Sequence, residues 1–255
     1  MTQEIRTRAE AGVLTITFNR LERKNAITAA MYSAIATTLE SAADDRAVRV
    51  AVLEGHETVF TAGNDLGDFL QAPKDAGPSP AYAFMRALAS FSKPLIAAVC
   101  GPAVGIGTTM LLHCDMVYAG DNASFSTPFV DLGLCPEAGS SLLLPQLLGY
   151  HRAAAALLLG EPLSIEAAFA AGLVNKVLPV TEVGTFAQQQ ARKAASKPSG
   201  SLLEIKRLMK QAQAPEILRR IDDEGQSFAH LLTGPAAKEA ISAFIAKRKP
   251  NFSTL

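Results

Sequence analysis

The sequence carries no excess of charge. Its 255 residues hold 24 Lys and Arg against 24 Asp and Glu, a formal net charge of zero. A balanced chain has no general pull toward nucleic acid or an anionic membrane, and neither is expected as a partner. Cysteine is scarce. Cys100, Cys114 and Cys135 are an odd count with no CxxC among them, and their apolar neighbours read as buried thiols of a reducing compartment rather than disulfides. Four histidines, His56, His113, His151 and His230, are scattered with no HExxH or other ligand spacing, so no metal site is expected. His113, inside an apolar helical stretch, reads as a satisfied core residue. No uninterrupted apolar run reaches membrane-spanning length, and the polar start MTQEIRTRAE is no signal peptide. The expectation is a soluble cytoplasmic protein. GIGTTM at 105–110 lacks the third glycine of a dinucleotide fingerprint, no Walker A lysine follows a glycine loop, and GSS at 139–141 is no nucleophile elbow. Neither a 20–50-residue repeat nor a low-complexity tract is visible.

What is present is apolar and alternating. Hydrophobic residues make up 49% of the chain, enough for the core of one large domain or two small ones. The organising stretch is KPLIAAVCGPAVGIGTTMLLHCD, Lys93–Asp115. It predicts a buried strand over Pro94–Val99, a turn of Gly and Pro, and a helix to about His113. Before it, Ile5–Ala9 and Val13–Phe18 predict a hairpin about Ala11-Gly12, and Thr28 caps a helix to about Ala43 with Met31, Ile35 and Leu39 on one stripe. Val48–Leu53 is a strand. A further short strand, a turn at Ala62-Gly63 and a helix entered through Asn64-Asp65 follow. Pro73–Pro80 reads as a mobile surface loop, succeeded by a helix to about Phe91.

After Asp115 the pattern predicts strands at Met116–Ala119 and Ser124–Ser126. Helices follow near Gly139–Leu148, His151–Leu159 and Ser164–Ala171, then a strand at Val174–Leu178. From about Thr181 the pattern is all helical, broken at Pro198 and Pro215. Strand–helix alternation with a helical tail is an α/β protein with a C-terminal helical region. The division expected is a core over 1–195 and helices over 196–255.

Two turns carry possible chemistry. Ala62-Gly63-Asn64 and Gly105-Ile106-Gly107 each follow a strand and open a helix, so each offers unpaired backbone amides. Two such amides aimed at one oxygen make an oxyanion hole, with each donor worth ~3–4 kcal/mol on a developing negative charge. From spacing alone, ordinary strand-to-helix turns are the favoured reading, since such glycine turns are common.

At these residues the chain resembles the crotonase (enoyl-CoA hydratase/isomerase) superfamily over nearly its whole length. FTAGNDL at Phe60–Leu66 is similar to the family's first oxyanion motif and AVCGPAVGIG at Ala98–Gly107 to its second. The resemblance implies a ClpP/crotonase-like spiral of repeated ββα units with a C-terminal helical trimerisation subdomain, and a homotrimer or dimer of trimers. It implies a coenzyme A thioester as substrate and no separate cofactor. By the same resemblance the amides of Asn64 and Ile106 bind the thioester oxygen; Ile106 stands where many relatives have glycine. Arg23 and Lys24 are implied as contacts for the coenzyme A phosphates, with Ala26, Ala62, Gly63, Asp65 and Leu66 along the adenine and pantetheine. AKRKPNF at Ala246–Phe252 resembles a tail that packs at subunit contacts and can reach a phosphate.

The proton-transfer residue is the point of departure. Family hydratases use two glutamates, and at those positions this chain has Thr109 and Phe129, neither able to pass a proton to water. Together with Leu134 these two are expected to line the acyl pocket. Glu137 remains, among Leu132, Leu134 and Cys135, where an apolar cleft raises proton affinity toward neutral pH. PEAGSS resembles the PEG-type motif of the peroxisomal-type Δ3,Δ2-enoyl-CoA isomerases, in which this glutamate is the sole catalytic carboxylate. The implied activity is movement of a 3-enoyl-CoA double bond to the 2-position by single-glutamate proton transfer. Ser140 and Ser141 are candidates to orient Glu137. Asp65 and Asp115 read as caps or helix-end residues, and Asp131 as structural. Alternatives are another crotonase reaction, hydratase or dehalogenase/hydrolase-like, and a catalytically silent scaffold or RNA-binding relative.

Overall fold

A computed structural model describes residues 3–71 and 79–253 of the chain. Most of the expected Pro73–Pro80 loop lies outside the described residues. In chain order the elements are β1 (Ile5–Glu10), β2 (Val13–Phe18), α1 (Ala29–Asp44), β3 (Val50–Glu54), α2 (Leu66–Gln71), α3 (Pro80–Ser90), β4 (Leu95–Val99), β5 (Pro102–Val104) and α4 (Ile106–Thr109). They continue with β6 (Met116–Gly120), β7 (Ser124–Ser126), α5 (Ser140–Leu148), α6 (Tyr150–Leu158), β8 (Leu163–Ser164), α7 (Ile165–Ala170) and β9 (Lys176–Leu178). Four helices close the chain: α8 (Val180–Ala195), α9 (Ser199–Lys210), α10 (Ala214–Leu232) and α11 (Pro235–Ile245).

Two sheets result. The larger has the order β1-β2-β3-β4-β6-β9; β1 pairs antiparallel with β2, and every later pairing is parallel. The smaller has the order β5-β7-β8, and Thr61 adds a parallel bridge to Ala103 of β5. The units β4–β5–α4 and β6–β7–α5 therefore repeat: one strand joins the large sheet, the next joins the small one, and a helix follows. The unit beginning at β3 is the same with its second strand reduced to the Thr61 bridge. Each turn of the chain lays its strands beside those of the turn before, which is the crotonase spiral of ββα units.

Parallel strands covered on both faces need near-continuous apolar sequence. One face of β2, β3 and β4 presents Leu14, Ile16, Ala51, Leu53, Leu95 and Ala97 to the main core, where Met31, Ile35 and Leu39 of α1 and Leu88 of α3 meet them. The opposite face presents Val13, Val50, Val52, Ile96 and Ala98 to Val183, Ala187 and Ala191 of α8. Thr28 caps α1 as expected, accepting the amide of Met31 at 3.3 Å.

Two local expectations need correction. Residues 55–61 form isolated bridges rather than a short strand, because their partners are single residues on either side. The helix after Gly105 is one α turn, Ile106–Thr109, that tightens into a 3-10 turn over Met110–His113. Nearly every side chain there is buried, and i to i+3 bonding suits so short a segment ending against the next strand. The helical tail does break near Pro198 and Pro215: α9 ends at Lys210, and Pro215 sits in the first turn of α10, where its missing N–H costs nothing.

The tail is tied to the core of its own chain. From α9, Lys206 Nζ donates to Asp115 Oδ2 at 2.7 Å and to Lys93 O at 2.6 Å. From α10, Ile217 and Ile221 enter the main core.

Candidate active site

The two glycine turns lie against each other. Thr61 bridges to Ala103, and Val104 N donates to Thr61 O at 3.0 Å. Side chains are excluded where they meet: a Cβ on Gly63 would stand 2.7 Å from Val104 O, and one on Gly107 2.6 Å from Thr61 Cγ2. Beyond this contact the amides of Asn64 and Ile106 have no acceptor among the described residues. With α4 only one turn long, the donor at Ile106 is the amide itself, and little macrodipole supports it. Tyr32 of α1 donates its hydroxyl to Asn64 Oδ1 at 2.5 Å and fixes that side chain.

Glu137 is 5% exposed. Its Oε1 accepts the hydroxyl proton of Thr109 at 2.8 Å. Burial is the main force on its proton, raising the pKa from the ordinary carboxyl value to about 8; the Thr109 bond works against this, and the charge of Glu224 adds to it. Burial also holds the phenol of Tyr32 well above its usual value, with the charge of Glu137 adding to the effect, so the two groups face one electrostatic neighbourhood. Thr109 thus belongs to the immediate surroundings of the Glu137 carboxyl group. The expected acyl-pocket residues Phe129 and Leu134 sit together in an apolar cluster with Ala237 of α11.

The serines do not orient the carboxyl group. Ser140 Oγ donates to the backbone carbonyl of Glu137 at 2.6 Å, and Ser141 directs its amide to Glu224. Hydroxyls this close in sequence reach the main chain before they reach a side chain pointing the other way. Sequence reasoning missed Tyr32 and Glu224. The second had a signal: it lies on the stripe Ile217, Ile221, Glu224, where a helix otherwise buries apolar residues.

The basic loop is rigidly mounted. Lys24 and Asn25 both have left-handed backbone, with φ of 51° and 54°. Asn25 is fully buried, accepting Arg20 N at 2.8 Å and donating to Phe60 O at 3.1 Å, and Ala62 N donates to Lys24 O at 2.9 Å. Ala26 and Ala62 therefore adjoin the first turn. Arg23 and Lys24 are exposed and enter no ion pair among the described residues. Asp65 behaves as a cap: its carboxylate accepts Arg20 Nη1 at 2.7 Å and the amides of Gly67 and Asp68 of α2. Burial opposes its charge, yet those bonds bring its pKa below the usual value. Leu66 opens α2 and is half-buried. Cavities of about 300 Å³ and 720 Å³ lie elsewhere, and neither is lined by Glu137, Asn64 or Ile106. Cavity size does not mark this site; a buried carboxyl group and two free amides do.

The sequence pattern of the family described as Enoyl-CoA hydratase/isomerase matches residues 8–254. The chain belongs to that family. The solved structure of OdaA of Pseudomonas aeruginosa superposes with a TM-score of 0.93 at 48% identity, covering 96% of this chain and 99% of that one. The rat enoyl-CoA delta isomerase 2 is 36% identical over 95% of this chain, which spans 63% of that protein's length. The 2,3-dehydroadipyl-CoA hydratase of Escherichia coli strain K12 is also 36% identical, over 94% of each chain. Equal identity to an isomerase and to a hydratase assigns the superfamily, whose enzymes act on acyl-CoA thioesters, and does not separate the two reactions. The peroxisomal isomerase subtype is thus not distinguished by likeness. Among the described residues no group of three His, Cys, Asp or Glu could hold a metal, and no helix is long and apolar enough to cross a membrane.

Proposed function

We propose that this crotonase moves the double bond of a 3-enoyl-CoA to the 2-position. Glu137 removes a proton from C2, the negative charge spreads over the dienolate, and its oxygen rests on the amides of Asn64 and Ile106. The same carboxyl group then returns the proton at C4, so the proton balance is internal and no water is consumed. The observation that carries this reading is the hydrogen bond from Thr109 to Glu137 at 2.8 Å. It supports the reading because a hydroxyl stands beside the Glu137 carboxyl group where hydratases have a glutamate, and Phe129 occupies the other position where they have an acid. Isomerisation needs one base; hydration needs a group to activate water as well.

The remaining roles belong to the same reading. Arg23 and Lys24, exposed on a braced loop, meet the coenzyme A phosphates, while Ala26, Ala62, Gly63 and Leu66 border the pantetheine path. Asp65 supports that path through Arg20 and α2. The helices of 196–255 serve self-association into a trimer or dimer of trimers: α9 exposes Ile205, Leu208 and Met209. Phe129 and Leu134 bound the acyl group.

Hydration is the second reading, favoured by the equally similar E. coli hydratase. Incubation with a 3-enoyl-CoA and, separately, a 2-enoyl-CoA separates them, with wild type and Glu137→Gln run side by side. Conversion of the first substrate without hydration of the second, lost in the variant, is the expected result. Hydration of the 2-enoyl substrate overturns it.

A further inference from the structure

Glu224 of α10 is 6% exposed and lies 85 residues from the segment it binds. Its Oε2 accepts the amide of Gly139 at 2.6 Å and its Oε1 the amide of Ser141 at 2.8 Å. These are the first amides of α5, whose own N-cap, Gly139, has no side chain to offer them. The chain needs help at this place. Directly after Glu137 it passes through two left-handed residues, Ala138 at φ 59° and Gly139 at φ 72°, and for alanine that conformation is unfavourable. The reversal is held from below as well: His113 Nε2 donates to Ala138 O at 2.7 Å, a neutral imidazole whose pKa burial lowers to about 4.

We propose that Glu224 is a positioning residue for the acyl-CoA site: by taking the amides of Gly139 and Ser141 it fixes the reversal after Glu137, and so sets where the Glu137 carboxyl group points. The inference rests on Glu137 being the proton carrier. A remote carboxylate suits this task better than a local cap because it binds two amides at once and joins α10 rigidly to α5. It also brings a second negative charge near Glu137, which adds to the burial that raises the Glu137 pKa. The other ionisable groups around the pair are Tyr32 of α1, His113 under the reversal, Cys135 ahead of it and Arg220 one turn away on α10. Arg220 favours the charged form of Glu224, and burial opposes it more strongly. None of the four donates to Glu137 among the described residues.

The test is Glu224→Gln, which keeps one acceptor and removes the charge. The Glu137 carboxyl is titrated by carbon NMR on glutamate-labelled protein, its signal identified by its loss in Glu137→Gln. Turnover of a 3-enoyl-CoA is measured across pH in parallel. A folded variant is expected to show a lower Glu137 midpoint, a high-pH plateau of kcat reduced about tenfold by misplacement of the base, and KM within twofold of wild type. A wild-type plateau of kcat in a folded variant overturns the proposal, whatever the midpoint does. If the wild type turns over no enoyl-CoA, the isomerase reading fails, while the Glu137 carbon shift in Glu224→Asp, which keeps the charge, still judges the positioning: a changed shift supports it and an unchanged one overturns it. Should Glu224→Gln not fold, Glu224→Asp keeps the charge and withdraws the acceptor by one methylene. A reduced plateau in folded Glu224→Asp supports positioning, and a wild-type plateau overturns it.

Discussion

Two buried polar clusters tie the C-terminal helices to the spiral, and they are built on opposite principles. At Lys206 the charges are of opposite sign: Asp115 Oδ2 meets Lys206 Nζ at 2.7 Å and takes the amide of Leu95 at 2.8 Å, where β4 begins, while Asp115 Oδ1 makes no hydrogen bond and faces the Lys210 ammonium at 3.7 Å. At Glu137 the charges are of like sign. Glu137 and Glu224 share one neighbourhood, and the only hydrogen-bond partner of the Glu137 carboxyl group among the described residues is the Thr109 hydroxyl. A compensated buried charge fastens structure, and an uncompensated one keeps a proton in play. On the proposed reading, the difference separates the part of the interior that holds the fold from the part that would do chemistry.

Changes at the two clusters are expected to have opposite signatures. Glu137→Gln has the largest effect, a loss of about 10³–10⁴ in kcat on the 3-enoyl substrate with the fold retained, measured by turnover and thermal unfolding. Near wild-type turnover in that variant would remove Glu137 from the mechanism. Lys206→Ala leaves buried Asp115 with only the longer Lys210 contact at 3.7 Å among the described residues, at a cost of up to about 3–5 kcal/mol in urea unfolding, with turnover per folded molecule unchanged. A loss of specific activity there would erase the division between the clusters.

The dependence of stability on pH sharpens the comparison. Below pH 4.5 the Glu137 carboxyl is neutral both folded and unfolded, so it exacts no penalty. Between 4.5 and about 8 the unfolded chain ionises first and the folded protein loses stability; above about 8 the full penalty is present. Glu137→Gln is therefore expected to match wild type in acid and to exceed it by a few kcal/mol in alkali, as denaturation at a series of pH values would show. A constant difference across pH would mean that burial does not perturb this carboxyl group. Thr109→Val removes the one bond that favours the charged form, so the rising limb of the rate profile moves to higher pH and turnover at pH 7 falls several-fold. The smallest expected effect is at the rim. Arg23→Ala and Lys24→Ala each raise KM about two- to fivefold, less at high salt, with kcat unchanged.

Much of this was legible in the residues. The hairpin, the Thr28 cap and the apolar strands follow from alternation and local chemistry, because each is decided by neighbours a few positions away. The spiral itself came from resemblance, since local periodicity does not say that β5 pairs with β7 across an intervening strand of the other sheet. Glu137 was visible as a lone carboxylate in apolar sequence. Its partners were not, because Thr109 and Glu224 lie 28 and 87 positions away and meet it only through the fold. Helix α9 is the clearest inversion. A sequence reader would bury its Leu and Ile residues, yet its one buried side chain is Lys206, while Ile205 and Met209 are 55% and 67% exposed. A charge anchored to Asp115 outweighs the apolar stripe, which is left facing outward.

The long reach of Glu224 has a consequence for synthesis. Strands β1 to β4, both glycine turns and Glu137 itself all leave the ribosome before residue 224. The nascent spiral can gather its core as it emerges, but the reversal after Glu137 receives its clasp only when α10 arrives. Order of assembly and order of sequence thus part company here: the reversal is started early and clasped near the end, and a chain cut short of α10 would lack the carboxylate that takes the amides of Gly139 and Ser141.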